Sequence, residues 1–205
     1  MPADLVGASY PLNNPLKTLL GGLSNIYQPD IPARSNLEWF GAGTLVDGAL
    51  AATGVGCFVP VPIDPGTLVT EISLLTGATA AETPTHQFAA IYAGTGEAPA
   101  LIAQSTDTTS AAIGAKKRAG WKLTEPTIIT NKMAEYGFIY VEIAITATVI
   151  PTAAVSATPA GINYGWSTNG PLFLSSTAGT ALAGTAAATM ASPAAKAVAP
   201  IVIVR

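Results

Sequence analysis

Chemistry needs reactive side chains at workable spacing, and this 205-residue sequence offers few. It holds one histidine, His86, and one cysteine, Cys57. A Ser/His/Asp arrangement needs a histidine as base beside an activated serine. His86 stands in Pro84-Thr85-His86-Gln87-Phe88, at the mouth of a strand pattern, and the chain has no Gly-x-Ser-x-Gly elbow. Cys57 lies in Cys57-Phe58-Val59, an apolar setting unsuited to forming a reactive thiolate, and reads as a buried reduced thiol. One Cys and one His cannot assemble a zinc site, and no Asp-rich loop has the spacing that calcium favours. Glu71, Glu135 and Glu142 fall in or beside strand patterns. They are the only raw material for a paired-carboxylate glycosidase, but sheet-edge glutamates are expected to face solvent. Gly94-Thr95-Gly96 is not a dinucleotide fingerprint, because Pro99 stands where the third glycine belongs and no helix pattern follows. No enzyme activity or cofactor is therefore expected and no metal site is assigned, with calcium held by loop carbonyls and scattered Asp and Glu left open. The aromatics are the remaining handle. Trp39-Phe40, Trp121 and Trp166 are candidates for a carbohydrate-stacking platform, although core packing explains Trp121 better and Trp39-Phe40 suits an anchor.

The elements that would carry these residues are short. Hydrophobic residues make up 49% of the chain but charged ones only 10%, well below the roughly 25% of an ordinary soluble domain. Much of the apolar content is Ala beside abundant Thr, Ser and Gly. A surface so poor in charge favours a permanent place in an assembly over life as a free monomer. The net charge of −3 argues against nucleic-acid binding, which needs a basic patch. The one basic cluster, Lys116-Lys117-Arg118, lies between Gly114 and Gly120 and reads as a solvated turn tip. Prolines and glycines interrupt every apolar run before the ~20 residues of a membrane helix, so no membrane span is expected, and no signal peptide is recognisable.

Residues 1–35 read as a docking arm. Five prolines (Pro2, Pro11, Pro15, Pro29, Pro32) leave room for one short helix, with Asn14 as N-cap and Pro15 at the first helical position. Leu16, Leu19, Leu20 and Leu23 then form an apolar stripe, flanked by Tyr10 and Tyr27. A helix this short is marginal alone and must dock its leucines, on its own domain or on a neighbouring subunit. Tyr10, Leu16, Leu19, Leu20, Leu23, Tyr27, Trp39 and Phe40 are the candidate interaction residues.

Residues 36–205 read as an all-β domain. Val55–Ile63 is an apolar run broken by Pro60 and Pro62, which predicts an edge or bulged strand. Residues 67–74 alternate, with Leu68, Ile72 and Leu74 on one face. In His86–Ala93, Phe88, Ala90 and Tyr92 face one side and Gln87, Ala89 and Ile91 the other, with residues 100–104 as hairpin partner. The strongest strand spans 136–145, with Tyr136, Phe138, Tyr140 and Glu142 opposite Ile139, Val141, Ile143 and Ile145, both faces covered. Further strands are expected at 120–124, 162–166, 172–174 and 200–204, the last as a closing strand, with Ser175–Pro193 as a long loop or weakly patterned excursion. Many short strands with little helical periodicity predict an antiparallel β-sandwich, jelly-roll-like, behind the N-terminal arm.

Four of these segments carry a resemblance. Gln87–Ala93, Leu101–Ser105, Ala119–Pro126 and Tyr136–Ile143 resemble a β-sandwich module of virion proteins in actinobacterial tailed phages, whose strands run "N-F-x-G-L-Y", "L-L-x-x-S", "G-x-K-x-x-x-L-T-x-P" and "Y-Y-V-A-L". The resemblance covers roughly residues 55–205. Glu142 and Ile143 depart from its small and apolar positions, and the arm is short. It implies a structural component of a tailed-bacteriophage virion, as a minor tail or tail-tip protein. Capsid decoration on the head surface and a carbohydrate-binding adhesion module are the alternatives. The partners implied are other virion proteins, tail or capsid subunits, with a homo-oligomer and a host-surface glycan as further expectations. The location implied is the phage particle, assembled in the host cytoplasm.

Overall fold

The computed structural model describes residues 34–36, 45–93, 99–157, 176–179, 182, 184–190, 194–195 and 198–205. They form strands β1 (Arg34–Ser35), β2 (Leu45–Ala49), β3 (Gly56–Pro62), β4 (Leu68–Leu75), β5 (His86–Ala93), β6 (Ala100–Gln104), β7 (Arg118–Ile128), β8 (Phe138–Thr146), β9 (Thr152–Ala157), β10 (Ser176–Ala178), β11 (Ala194–Ala195), β12 (Val198–Pro200) and β13 (Val202–Val204). No helix occurs among the described residues, and the expected arm helix lies outside them. The strands pair antiparallel in three sheets, ordered β1-β13-β4-β7, β11-β10-β3-β8-β5-β6 and β12-β9-β2.

One apolar cluster joins all three sheets. Ile72, Leu74 and Trp121 of the four-stranded sheet meet Val59, Ile91 and Val141 of the six-stranded sheet, with Val155 of β9 beside them. Trp121 is thus core, as its strand pattern predicts. A second cluster lies on the opposite face of the six-stranded sheet. There Phe58, Phe88, Tyr92, Phe138 and Tyr140 pack with Ala186 and Met190 from the 184–190 segment. A sheet covered on both faces needs apolar residues at successive positions, which is why β3, β5 and β8 read as nearly unbroken hydrophobic runs. Part of the 175–193 excursion therefore acts as a strap over that sheet.

Three details of register correct the sequence expectations. First, β3 is an interior strand, between β10 and β8. Successive N–H groups of a strand point to alternate neighbours, and the Ile63 amide bonds to Gly137 O on the β8 side. The even-numbered Pro60 and Pro62 thus turn their missing donors to the other side. There β10 pairs only Gly56–Phe58, so neither proline breaks a ladder. Second, the β4–β7 register shifts between Val69 and Glu71, and that irregularity inverts the alternation. Val69 is fully buried, whereas Leu68 is exposed opposite Ile128, which is also exposed. Third, the closing strand is divided. β12 pairs β9 and β13 pairs β4, so the chain changes sheet at Ile201.

That change of sheet is held by Asn36. Its amide nitrogen donates to Pro200 O at 2.8 Å and its oxygen accepts from Val202 N at 3.0 Å, bracketing Ile201 from both sides. Ser35 Oγ adds a bond to Val202 O at 2.8 Å. Asn36 is wholly buried. Its side chain supplies the partners that the backbone loses where the strand leaves one ladder for the next.

Candidate functional site

Tyr10, Leu16, Leu19, Leu20, Leu23, Tyr27, Trp39 and Phe40 lie outside the described residues, as does Trp166. The polar chemistry that is described gathers at three places.

His86 opens β5 and is half-buried. Its Nδ1 lies 2.7 Å from Asp107 Oδ2, while Asp107 Oδ1 accepts the Gln87 amide at 2.8 Å. Gly184, with φ of 77°, brings the strap against this pair, and a Cβ there would overlap Asp107 Oδ2. Only glycine reaches that backbone conformation without strain while leaving the carboxylate its space. Asp107 orients the imidazole, and its second oxygen ties the loop after β6 to β5. Among the described residues no three of His, Cys, Asp and Glu gather to hold a metal ion. Sequence reading missed Asp107, because 21 residues separate it from His86 and only the β5–β6 hairpin closes that gap.

Glu71 and Glu142 are both buried, contrary to the expectation of solvent-facing glutamates. Glu71 lies between Arg118 and Arg205, with Arg205 Nη2 2.6 Å from its Oε2. Ser73 Oγ donates to Glu71 Oε1 at 3.0 Å and accepts from Arg118 Nε at 2.9 Å. Gly120 on β7 leaves the space: a Cβ there would stand 2.6 Å from Glu71 Oε1. Burial opposes the Glu71 charge, but the hydrogen bonds from Arg205 and Arg118 prevail and hold its carboxyl below the usual range. The expected solvated tip is accordingly shorter than predicted. Lys116 and Lys117 are exposed, whereas Arg118 turns back onto the sheet.

Glu142 occupies the middle of β8, fully buried beneath the strap. Its Oε2 accepts from the Tyr92 hydroxyl at 2.8 Å, and that hydroxyl also lies 2.9 Å from Ala187 O. A Cβ at Gly56 would overlap Glu142 Oε1, so glycine on β3 makes room for the carboxyl. Phe58 closes the site, its ring edge-on to Tyr92 with centroids 5.3 Å apart. Burial pushes the Glu142 carboxyl up to about 7, only partly offset by the Tyr92 bond. Burial and the neighbouring carboxylate push the Tyr92 hydroxyl upward in turn. The signal for this site was present in the sequence: one carboxylate on a strand face otherwise made of Tyr136, Phe138 and Tyr140.

The two buried glutamates do not form a glycosidase pair. Ile72 of β4 and Val141 and Ile143 of β8 point into the shared core, so Glu71 and Glu142, their neighbours in alternation, point away from it on different sheets. A small recess lined by Leu50, Ala51, Val55, Ile143, Ile145 and Ile150 is aliphatic and offers no side-chain group to orient a polar substrate. Compared with known protein families and with curated proteins, the sequence matches none. No helix of the described residues is long and apolar enough to cross a membrane.

Proposed function

We propose that this chain is a structural component of a tailed-bacteriophage virion, a minor tail or tail-tip protein that docks through its N-terminal arm. One observation carries the reading. The four segments resembling the virion module overlap β5, β6, β7 and β8, three of which are neighbours in the six-stranded sheet. A resemblance that falls on paired strands is what a shared structural module produces. In this reading the four- and six-stranded sheets are the layers of a jelly-roll-like β-sandwich, supported by the apolar cluster to which both contribute. The low charge of the chain suits an assembled subunit, whose neighbours keep it in place. Its work is steric and adhesive: apolar side chains of the arm bury area at about 25 cal/mol per Å² against a neighbour, and repeated copies add avidity.

The test is fractionation of disrupted particles followed by mass spectrometry of heads and tails. Recovery with tails supports the proposal, recovery with heads replaces it by capsid decoration, and absence from both rejects a virion role. A glycan-binding platform gains no support from Trp121, which is core. Saturable fluorescence quenching by host-wall glycans would nevertheless establish that activity.

A further inference from the structure

Tyr92 has one hydroxyl proton and two acceptors within reach, Glu142 Oε2 at 2.8 Å and Ala187 O at 2.9 Å. A tyrosine hydroxyl donates a single hydrogen bond and accepts others, and an ionised carboxylate only accepts. With Glu142 ionised, Tyr92 gives its proton to the carboxylate and Ala187 O loses that donor. With Glu142 protonated, the carboxylic O–H donates to the Tyr92 oxygen and Tyr92 donates onward to Ala187 O. Only the protonated form completes the relay from β8 through β5 to the strap.

We infer that Glu142 is a proton-operated latch: protonated, it fastens the 184–190 strap to the six-stranded sheet through Tyr92, and on losing the proton it loosens that strap. The inference concerns the interior of the domain and does not depend on a virion role.

The surroundings support it. From β3 the carboxyl meets Gly56 and Phe58, and from β5 Ala90 and Tyr92. Its own strand offers Tyr140 and Ala144, while β6, β10, β11 and residues 184–190 carry no titratable side chain. His86 and Asp107, bonded to each other, also lie on this face of the sheet. His86 is paired with Thr146, four residues from Glu142 along β8, which is roughly 13 Å at strand rise. No described cation stands against Glu142, so a charge formed there lacks compensation among the described residues. The strap's other ties are neutral: Ala186 N to Gln104 Oε1 at 3.0 Å, Leu101 N to Ala188 O at 2.9 Å and Met190 N to Pro99 O at 2.9 Å. Ala186 and Met190 also close the apolar cluster over Tyr92, so a loosened strap admits water to the carboxylate.

Amide hydrogen exchange of the full chain, read at Ala186 and Met190 and corrected for intrinsic rates, tests the latch. Between about pH 5 and about pH 8, strap protection in the wild type is expected to fall at least about tenfold, because the opened carboxyl ionises more readily than the closed one. Glu142→Gln, a neutral donor to the Tyr92 oxygen, is expected to keep the strap protected at both pH values. Tyr92→Phe, which breaks the relay to Ala187 O, is expected to lower protection at the acidic pH. Wild-type protection that does not change with pH overturns the latch. So does a Glu142→Gln protein that retains the wild-type pH response, since the titrating group would then lie elsewhere.

Discussion

At the scale of single residues, the two buried glutamates impose opposite pH dependences on stability. Glu142 is raised in the folded state from an ordinary carboxyl value of 4.5 to about 7, so the native protein holds the proton more tightly than the unfolded chain. Its stabilisation is complete below about pH 4.5 and is lost as pH rises through about 7, amounting to roughly 3 kcal/mol. Glu142→Gln removes that slope. Urea denaturation at a series of pH values should show the variant more stable than wild type by about 2–3 kcal/mol above neutrality, and closer to it in acid. Glu71 has a lowered carboxyl, so its contribution is present above the ordinary carboxyl range and is lost as pH falls through the folded value. Glu71→Ala leaves Arg118 and Arg205 without their shared carboxylate, and a loss of roughly 3 kcal/mol is expected at neutral pH, read from the denaturation midpoint. If Glu71→Ala costs no more than an ordinary surface substitution, the arginines are compensated elsewhere and the cluster is not a structural tie.

At the scale of elements, the sequence was most legible where strands are long and alternate without interruption. The faces of β5 and β8 could be read residue by residue, because Phe88, Ala90 and Tyr92 keep strict period two and pair with Ala144, Glu142 and Tyr140 across the ladder. Legibility failed where the period breaks. The irregularity after Val69 moves Leu68 to the surface, and no residue in Leu68-Val69-Thr70-Glu71 announces it. Pro60 and Pro62 suggested an edge because proline cannot donate, but only the direction of each missing N–H decides whether that matters. The partners of the candidate sites were least legible. Asp107 for His86, Arg205 for Glu71 and Tyr92 for Glu142 lie 21, 134 and 50 residues away, so only the topology brings them together. The change of sheet at Ile201 belongs to this class, and it gives a prediction. Asn36→Ala removes both bonds bracketing Ile201 and leaves a buried acceptor and a buried donor unmet, at an expected cost of about 2–4 kcal/mol. Asn36→Asp keeps the acceptor for Val202 N but presents an oxygen to Pro200 O, so it should also destabilise. An Asn36→Asp protein as stable as wild type in chemical denaturation would mean that the Pro200 contact contributes nothing.

At the scale of the whole molecule, the question is where the folded domain begins. Composition placed the boundary after residue 35, yet Arg34 and Ser35 pair with Val204 and Ile203, and Asn36 secures the chain's passage between sheets. The C-terminal segment depends on these contacts at one end. At its other end the Arg205 carbonyl oxygen accepts from the Thr70 and Glu71 amides at 2.7 and 2.8 Å. Two truncations separate a docking role of the preceding segment from a structural role of these three residues. A chain starting at Arg34 keeps β1 and the Asn36 bracket and is expected to unfold in a single cooperative transition near the full-length midpoint. A chain starting at residue 37 loses the β1 ladder and the bracket together. It should be weaker by about 3 kcal/mol or more, since buried polar groups around Pro200 and Val202 are left unmet. On the proposed virion role, the chain starting at Arg34 should fold but fail to be incorporated into particles, because the leucine-bearing segment is gone while the domain stays intact. If it is incorporated normally, docking resides in the sheets and not in residues 1–33. If it cannot fold, that segment is part of the domain's own core and the arm reading is wrong.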